Sequence, residues 1–321
     1  MKTIVQKYGG TSVGSIDRIQ NVARRIIKRK EAGHRIVVIV SAMGDNTDRL
    51  LGMADQISKN PPKREIDMLI STGEQVSIAL LSMALQEMGH DAISLTGSQV
   101  GIKTVGGHTK SKISEIDDAT LQKHLKDEKI VIVAGFQGVN EEKDITTLGR
   151  GGSDTSAVAI ACKLQCPCEI YTDVDGIYSL DPRRYAPAKK LDAISYEEML
   201  EMASLGAGVM HPRAVELAQK FNIPIIVASS LEEKPGTIIK ESEKDMENTE
   251  ITGLAIDNDD VMIDLDYVPH DIKITADIFD SLAKEQINID MISQTSPHEN
   301  NVNISFTVPK TELGEAKQLL E

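Results

Sequence analysis

Two glycine-rich segments carry the residues best suited to chemistry. The first, KYGGTSVGS, begins at Lys7 and lies between a short apolar run at Ile4 and an amphipathic stretch. Adjacent glycines let a backbone approach an anion closely, and a helix N-terminus presents free amides with a partial positive charge. The segment therefore predicts a phosphate cradle beside a lysine. A tight turn with a surface lysine is the alternative reading, and the spacing matches neither the P-loop nor the dinucleotide fingerprint.

The second segment, TLGRGGSDTS, starts at Thr147 and again enters a helical pattern. Arg150 adds a cation that suits bidentate contact with a carboxylate or a phosphate. A plain helix cap by Ser153, Asp154 or Thr155 is the alternative. Two anion-binding helix starts in one chain favour a site for a phosphorylated ligand.

A third segment, YTDVDGIYSLDPR, starts at Tyr171 and follows a short predicted strand. Loops at the carboxyl ends of buried strands are where α/β folds bind ligands. Asp-Gly and Asp-Pro are also ordinary turn formers, so a purely structural loop remains the alternative.

The elements that must position these loops alternate between β-branched runs and helical patterns. Continuous apolar runs at residues 36–40, 130–133 and 223–227 are typical of strands buried on both faces. Two helical faces are predicted, one with Ile19, Val22, Ala23, Ile26 and Ile27, the other with Val76, Leu80, Met83 and Ala84. The alternation predicts an α/β fold with a mostly parallel sheet.

Composition narrows the class of function. The 321 residues are 40% hydrophobic and 26% charged, with a formal net charge of −14, no Trp, six Tyr and four Phe. This charge repels phosphate backbones and anionic lipid, and few aromatics are available for base stacking, so neither nucleic acid nor membrane is an expected partner.

The cysteines Cys162, Cys166 and Cys168 give no disulfide framework and are interpreted as packing thiols; a metal site would need further ligands. Without a signal peptide or a run of about 20 apolar residues, a cytoplasmic location is expected.

Charge also divides the chain. Residues 250–321 hold 15 acidic and 4 basic side chains, whereas residues 1–249 hold 34 and 31. The polar stretch 241–249 is interpreted as a linker between domains at 1–240 and 250–321. The second domain is predicted to contain strands at 251–256, 261–265, 289–293 and 302–308, with helices at 274–282 and from 311. This order is ferredoxin-like, α+β, and incomplete.

Taken together, these segments resemble the aspartokinases of the amino-acid-kinase superfamily. The resemblance includes residues 40–44 (VSAMG) and 71–75 (STGEQ), covers residues 1 to about 240, and extends to an ACT regulatory module at 250–321. It implies a three-layer α/β sandwich followed by a partial ACT-like module. It also implies ATP-dependent, Mg²⁺-assisted phosphorylation of the side-chain carboxylate of L-aspartate.

The resemblance assigns roles to individual residues. Lys7 and Asp154 are expected to be catalytic, with Asp154 orienting the lysine and helping to place the metal. Arg150 is expected to hold a carboxylate of aspartate and Glu74 its ammonium, although Glu74 also suits a plain helix-dipole role. Thr47 is a further expected aspartate contact. Besides Lys7, the expected nucleotide-site residues are Tyr8, Gly9, Gly10, Ser41, Ser153, Thr172, Asp173, Tyr178, Asp181 and Arg183. No residue is assigned as a direct metal ligand.

One segment departs from the family pattern. Many relatives carry lysine in a GAKVLHP motif near the nucleotide, whereas this chain has Gly208, and His211 is expected only to start a helix.

Three alternatives to an active aspartokinase remain: a glutamate or acetylglutamate kinase, a catalytically weak amino-acid sensor, and a shortened chain or subunit that needs a partner. Sheet edges at Val261 and Val302 predict a homo-oligomer. The resemblance implies that lysine or threonine binds at interfaces between ACT modules.

Overall fold

The chain divides into two compact units. The computed structural model describes residues 2–206, 208–241, 252–256 and 259–320. One unit comprises residues 1–203 and 208–254, and the other comprises 204–207 and 255–321. The predicted linker lies outside the described residues except for residue 241, so the domain limits 1–240, 241–249 and 250–321 remain predictions.

Twelve strands and eight α-helices build the first unit. The strands are β1 (Thr3–Tyr8), β2 (Arg35–Val40), β3 (Ala92–Leu95), β4 (Ile102–Val105), β5 (Lys112–Ile116), β6 (Ile130–Ala134), β7 (Gln137–Val139), β8 (Ile145–Thr147), β9 (Cys168–Thr172), β10 (Ala193–Ser195), β11 (Ile225–Ser229) and β12 (Thr237–Lys240). The helices are α1 (Ile16–Glu31), α2 (Asn46–Ile57), α3 (Lys63–Ile70), α4 (Thr72–Glu87), α5 (Ala119–Lys126), α6 (Gly152–Leu164), α7 (Tyr196–Ser204) and α8 (Pro212–Phe221).

Eight of these strands form the large sheet, in the order β10-β12-β11-β9-β1-β2-β6-β3. Only the β11–β12 pair is antiparallel, which confirms the predicted mostly parallel sheet. Helices α1 and α4 cover one face, and α6 packs against β1, β2 and α8 on the other. Because helices cover both faces, the central strands are buried on both sides, which explains the unbroken apolar runs.

The two predicted helical faces have different outcomes. Ile19, Val22, Ala23 and Ile26 of α1 are buried, as predicted. The predicted face of α4 is only partly correct: Leu80 and Ala84 pack against the core, whereas Val76 and Met83 are 48% and 62% exposed. The fully buried side is formed by Ser77, Ile78, Leu81, Ser82 and Leu85. This helix is apolar on more than one side, so periodicity did not single out its core face.

Among the described residues, one stretch, Lys63–Glu87, is long and apolar enough to cross a membrane. Half of its most apolar window is buried inside the protein. Ile78, Leu81 and Leu85 from this window belong to the core beneath the large sheet. The apolar character is therefore accounted for by packing.

A smaller four-stranded sheet, in the order β5-β4-β7-β8, lies beside the large one in the same unit. Strand β7 follows β6 after a two-residue connection, and β8 runs into the loop that precedes α6. This sheet therefore holds the start of the second glycine-rich segment. Buried Thr104 and Thr146 meet across it, with their hydroxyl oxygens 2.6 Å apart.

The second unit is a three-stranded antiparallel sheet with two helices. It contains β13 (Asp260–Pro269), α9 (Ile272–Lys284), β14 (Ile292–Gln294), β15 (Asn301–Pro309) and α10 (Leu313–Leu320). Its strand order is β13-β15-β14, and Leu282, Val302, Ile304, Phe306 and Val308 lie in its core. The β-α-β-β-α order agrees with a partial ferredoxin-like module.

Three sequence predictions for this region are corrected. Residues 252–256 form no strand. The amide of Leu254 donates to the carbonyl of Ser179, 2.8 Å away, and both residues belong to the first unit. The strand predicted at 289–293 begins only at Ile292. The strand at Val302 is central in its sheet and is not an edge, whereas the strand at Val261 is an edge, as expected.

Candidate active site

The first glycine-rich segment leaves the carboxyl end of β1. Gly10 begins a short 3-10 turn, Gly10–Val13, and α1 starts only at Ile16, after Ser15 as its N-cap. A Cβ on Gly10 would lie 2.8 Å from the carbonyl oxygen of Ala42, so a side chain does not fit there. The close approach observed at Gly10 is to the backbone of Ala42, so the approach of this segment to an anion stays a prediction, and the helix N-terminus is displaced from the glycines.

The second segment starts α6 directly. Gly151 is its N-cap with φ 65°, a left-handed conformation that favours glycine, and no side chain caps the helix. The capping alternative for Ser153, Asp154 and Thr155 is therefore wrong. The first amides of α6 remain available to an anion, in agreement with the predicted phosphate cradle.

Lys7 and Asp154 bring the two segments together. Lys7 Nζ lies 2.6 Å from Asp154 Oδ1, and both side chains are only 12% exposed. The contact is an ion pair, and the ammonium has three N–H groups, so donors remain for another acceptor. A largely buried lysine held this way is a fixed positive charge beside the amides of α6.

Several predicted residues follow the carboxyl ends of neighbouring parallel strands. Ser41 follows β2, and its amide donates to the carbonyl of Tyr8, 3.1 Å away. Gly135 follows β6, and a Cβ built there would lie 2.9 Å from the hydroxyl oxygen of Ser153. Thr172 ends β9. Because these strands are parallel and adjacent, their loops meet at one edge of the sheet, as the prediction requires.

Tyr8 is a partial exception among the predicted nucleotide contacts. Its side chain is fully buried and stacks on Tyr171 with ring centroids 4.9 Å apart. Side chains alternate across a strand, so the face that presents Lys7 to α6 directs Tyr8 into the core beneath α1 and α4. The side chain of Tyr8 therefore points away from Lys7, and its expected place in the nucleotide site stays a prediction that concerns its backbone.

Glu74 lies in the first turn of α4 and is 3% exposed. Its Oε1 accepts a hydrogen bond from the amide of Ala42 at 3.2 Å, whereas the buried Oε2 has no partner among the described residues. Burial raises the pKa of Glu74 to about 7. A buried carboxylate with one unsatisfied oxygen is suited to a cationic ligand.

The turn before Glu74 packs closely on the segment that contains Thr47. A Cβ on Gly73 would lie 2.8 Å from the Cβ of Ala42 and 3.2 Å from the side-chain nitrogen, Nδ2, of Asn46. Thr47 is the next residue, in the first turn of α2. Glu74 and Thr47, two of the three predicted aspartate contacts, therefore stand on segments that touch.

Arg150, the third predicted aspartate contact, lies in the loop between β8 and α6. It is exposed and makes no ion pair with any side chain in the described part of the chain. A guanidinium without an internal partner is available for a carboxylate or phosphate.

The third predicted segment is an irregular loop after β9. The Thr172 hydroxyl donates to Asp173 at 3.0 Å, and Tyr178 donates to Asp175 at 2.9 Å. Asp181 and Arg183 pair with each other at 2.9 Å, which lowers the pKa of Asp181. Their expected contacts with a nucleotide remain a prediction.

Sequence reasoning missed three residues around these loops. Arg213 donates to the carbonyl of Leu148 at 2.7 Å. His211, which was expected to start a helix, is the N-cap of α8, where its Nδ1 accepts from the amide of Arg213 at 3.3 Å, and its ring packs directly over Gly151. Burial, assisted by Arg213, lowers the pKa of His211. Asp67 and His108 form a further pair behind Arg150, described below. A charged residue on the apolar face of α3 was the available signal for Asp67.

No group of three or more His, Cys, Asp or Glu side chains that could hold a metal ion occurs among the described residues. Mg²⁺ commonly needs only one or two carboxylates together with substrate phosphates. Asp154, whose carboxylate borders the helix start, is compatible with that arrangement. The three cysteines are free and buried, and burial raises the pKa of Cys162 to about 11 and of Cys166 to about 12, as expected of packing thiols.

Known protein families match both parts of the chain. Residues 2–229 match the amino acid kinase family, and residues 267–321 match an ACT domain. Aspartokinase 2 of Bacillus subtilis (strain 168) is 50% identical over 322 residues, which cover 100% of this chain and 79% of that protein. The chain belongs to the aspartokinase family.

Solved structures of aspartokinases resemble the chain as well. Aspartate kinase from Synechocystis is 47% identical with a TM-score of 0.68; the match covers 99% of this chain and 54% of that one, so the chain spans about half its length. E. coli aspartokinase III with aspartate and ADP, in the R-state, is 27% identical with a TM-score of 0.80, covering 96% of this chain and 79% of that one. The same E. coli enzyme with lysine and aspartate, in the T-state, is 26% identical with a TM-score of 0.72, covering 98% and 83%. The family and fold inferred from the motifs are confirmed.

Proposed function

We propose that this chain is an aspartate kinase that transfers the γ-phosphoryl group of ATP to the side-chain carboxylate of L-aspartate, giving 4-phospho-L-aspartate and ADP. The product is the first intermediate of aspartate-family amino-acid biosynthesis, which leads to lysine, threonine and methionine. The observation that carries the proposal is the Lys7–Asp154 ion pair, which sets a fixed cation between two glycine-rich loops at the carboxyl edge of the sheet. The 50% identity to an aspartokinase supports the same reaction.

The residues suit the electrostatics of this transfer. A carboxylate oxygen of aspartate attacks the γ-phosphorus, and the bond from that phosphorus to the ADP oxygen breaks. Because the nucleophile is already an anion, no general base is required; the main task is to offset repulsion between two anions and the charge on the transferred group. Lys7, the backbone around Gly9 and Gly10, and Ser153 at the start of α6 supply that stabilisation.

Asp154 acts through Lys7. Its carboxylate fixes the position of the ammonium before substrate arrives, which avoids the cost of ordering a free lysine side chain during the reaction. When Mg²⁺ is bound with ATP, it neutralises phosphate charge, and Asp154 is the residue that would hold it. The nucleotide itself is assigned to the strand-end residues Ser41, Thr172, Asp173 and Tyr178, with Asp181 and Arg183 at the outer end of the loop.

Aspartate is held as a zwitterion. The unsatisfied Oε2 of buried Glu74 accepts the ammonium, Arg150 holds a carboxylate, and Thr47 adds a polar contact. This arrangement orients the second carboxylate towards Lys7. It favours aspartate over an N-acetylated substrate, because the latter has no ammonium group for Glu74.

Regulation and assembly complete the proposal. The ACT domain match and the E. coli relative solved with lysine support a feedback amino acid, lysine or threonine, bound at interfaces between ACT modules of a homo-oligomer. A cytoplasmic location is proposed with this metabolic role.

One assay tests the reaction. The purified chain is incubated with Mg-ATP and L-aspartate, L-glutamate or N-acetyl-L-glutamate, and hydroxylamine traps any acyl phosphate as a hydroxamate. We expect hydroxamate and ADP in equal amounts with aspartate only. ADP release without hydroxamate, or a preference for either glutamate compound, would contradict the proposal.

A further inference from the structure

Asp67 is a fully buried carboxylate in a region that the proposed mechanism does not use. It lies on α3 with no exposed surface, and three groups from two other segments direct hydrogen bonds to it. The Thr147 hydroxyl donates to its Oδ1 at 2.5 Å, the amide of Thr109 is 3.1 Å from both oxygens, and His108 Nδ1 lies 2.7 Å from Oδ2. Because the carboxylate accepts from all of them, the Nδ1 atom of His108 is the donor in its contact.

Thr147 is held by two segments, α3 and the segment that contains His108. Its side chain reaches Asp67, and its carbonyl accepts from the amide of Ser111 at 3.0 Å. Thr147 is the last residue of β8 and stands three residues before Arg150. Since Arg150 itself has no ion pair in the described part of the chain, the position of its backbone depends on these contacts together with the hydrogen bond from Arg213 to the carbonyl of Leu148.

The same carboxylate is connected to Glu74. Asp67 lies in α3, which runs through Ser71 directly into α4, where Glu74 occupies the first turn. The amide of Ser71 donates to the carbonyl of Asp67 at 3.1 Å, and Gln137 anchors the carbonyl of Ser71 at 2.9 Å. Asp67 therefore links the helix that carries Glu74 to the strand that precedes Arg150.

We propose that Asp67 and His108 are positioning residues for aspartate, which set the spacing between Glu74 and Arg150 without touching the substrate. The inference rests on the proposed function, since it concerns the binding of aspartate. Among the described residues, no side-chain hydrogen bond of Asp67 or His108 reaches Lys7 or the loop after β9. Disturbance of these hydrogen bonds should therefore weaken aspartate binding and leave ATP binding nearly unchanged.

The test uses three substitutions at His108, assayed in the full chain. His108→Ala removes the hydrogen bond to Asp67 and should raise the KM for aspartate by about tenfold or more, with the KM for ATP changed less than about twofold. The amide nitrogen of His108→Asn reaches the place of Nδ1 and should restore most of the affinity for aspartate. The longer side chain of His108→Gln places its amide nearer to Nε2 and should not.

The matched control is Thr104→Val in the same small sheet. It removes the buried hydroxyl contact between Thr104 and Thr146 but leaves the bonds of Asp67 in place. We expect it to lower the melting temperature while both KM values remain at the wild-type level. It separates a general loss of sheet stability from a loss of positioning.

The outcomes are distinguishable. A wild-type chain that makes no aspartyl hydroxamate refutes the proposed function itself. If the wild type is active, parallel increases in both KM values, equal behaviour of the Asn and Gln variants, or a rise in the KM for aspartate in Thr104→Val would overturn the positioning role. Failure of all three His108 variants to fold would also overturn it, because the pair would then be needed for the fold alone.

Discussion

Lys7 Nζ lies 2.6 Å from Asp154 Oδ1, and this contact joins the end of β1 to the first turn of α6. Each partner stands at a glycine-rich turn, where the backbone can approach a phosphate more closely than other residues allow. The pair is therefore a charge fixed before the nucleotide binds. Its consequences for catalysis can be measured directly.

Removing either partner should reduce catalysis without unfolding the protein. We expect Lys7→Ala and Asp154→Ala each to lower kcat by at least about a hundredfold, because fixed charge at a transferring phosphoryl group contributes a few kcal/mol. Steady-state ADP release measures kcat, and circular dichroism checks the fold. Lys28→Ala, which removes an exposed ion pair with Glu233, is the control and should keep wild-type turnover. Near-normal kcat in a folded Lys7 or Asp154 variant would refute the assignment.

Much of this architecture can be predicted from local sequence. The runs at 36–40 and 130–133 identify central strands because strands covered by helices on both faces must be apolar throughout. Gly10 and Gly151 identify the loops because one lacks room for a Cβ and the other has a positive φ. These are local constraints, so each leaves a mark on a short stretch of sequence.

Features that depend on distant packing were not predictable in the same way. The core face of α4 was predicted only in part because Val76 and Met83 are as apolar as the buried Ile78 and Leu81, and only the sheet decides which side is covered. Tyr8 is buried because Lys7, its neighbour on β1, points to the other face of the sheet, and the motif does not reveal which face that is. The hydrogen bonds of Asp67 come from segments far away in sequence, so no spacing rule reveals them.

Arg150 should control the affinity for aspartate. Arg150→Ala removes a bidentate contact with a carboxylate, so we expect the KM for aspartate to rise about tenfold or more and the KM for ATP to change little. Arg150→Lys, which keeps the charge but loses the planar geometry, should be intermediate. Arg24→Ala, at an exposed position on the solvent side of α1, is the control and should leave both KM values unchanged. Equal increases in both KM values for Arg150→Ala would mean that Arg150 shapes the loop and does not bind aspartate.

The pKa of Glu74 predicts a pH dependence for substrate binding. Burial raises this pKa to about 7, so the carboxyl group is mostly ionised at pH 8 and mostly protonated at pH 6. Only the ionised form attracts the ammonium of aspartate. The KM for aspartate should therefore rise about tenfold as the pH falls from 8 to 6. Glu74→Gln should show a high KM with no such change between these pH values; a pH profile like that of the wild type in this variant would assign the titration to another group.

Gly208 offers a test by restoration. It is exposed, has no neighbouring atom within 4 Å of a built Cβ, and lies three residues before His211, which packs over Gly151. Gly208→Lys therefore fits without strain and returns a cation to the position where many aspartokinases have one. We expect the KM for ATP to fall severalfold, because charge-assisted contacts with phosphate are strong, while the KM for aspartate stays constant. Gly208→Gln is the uncharged control, and an equal effect of both variants would exclude a charge interaction.

Self-association of the second unit is the final expectation. Strand β13 pairs with β15 on one side only in the described sheet, and Met262 on this edge strand is 58% exposed. An edge strand beside apolar surface favours pairing with a second copy. Residues 250–321 also carry 15 acidic against 4 basic side chains, so two copies repel each other electrostatically.

Salt decides between these opposing effects. Added salt screens the repulsion and leaves the apolar contact intact, so association should strengthen between about 20 mM and 300 mM NaCl, where the Debye length falls from roughly 20 Å to below 8 Å. Sedimentation velocity at several protein concentrations measures the dimer fraction in each buffer. Met262→Asp adds a charge on the edge strand and should shift the protein towards monomer at both salt concentrations. A monomer in 300 mM salt at about 50 µM protein, or a Met262→Asp variant that associates like the wild type, would exclude pairing through this edge.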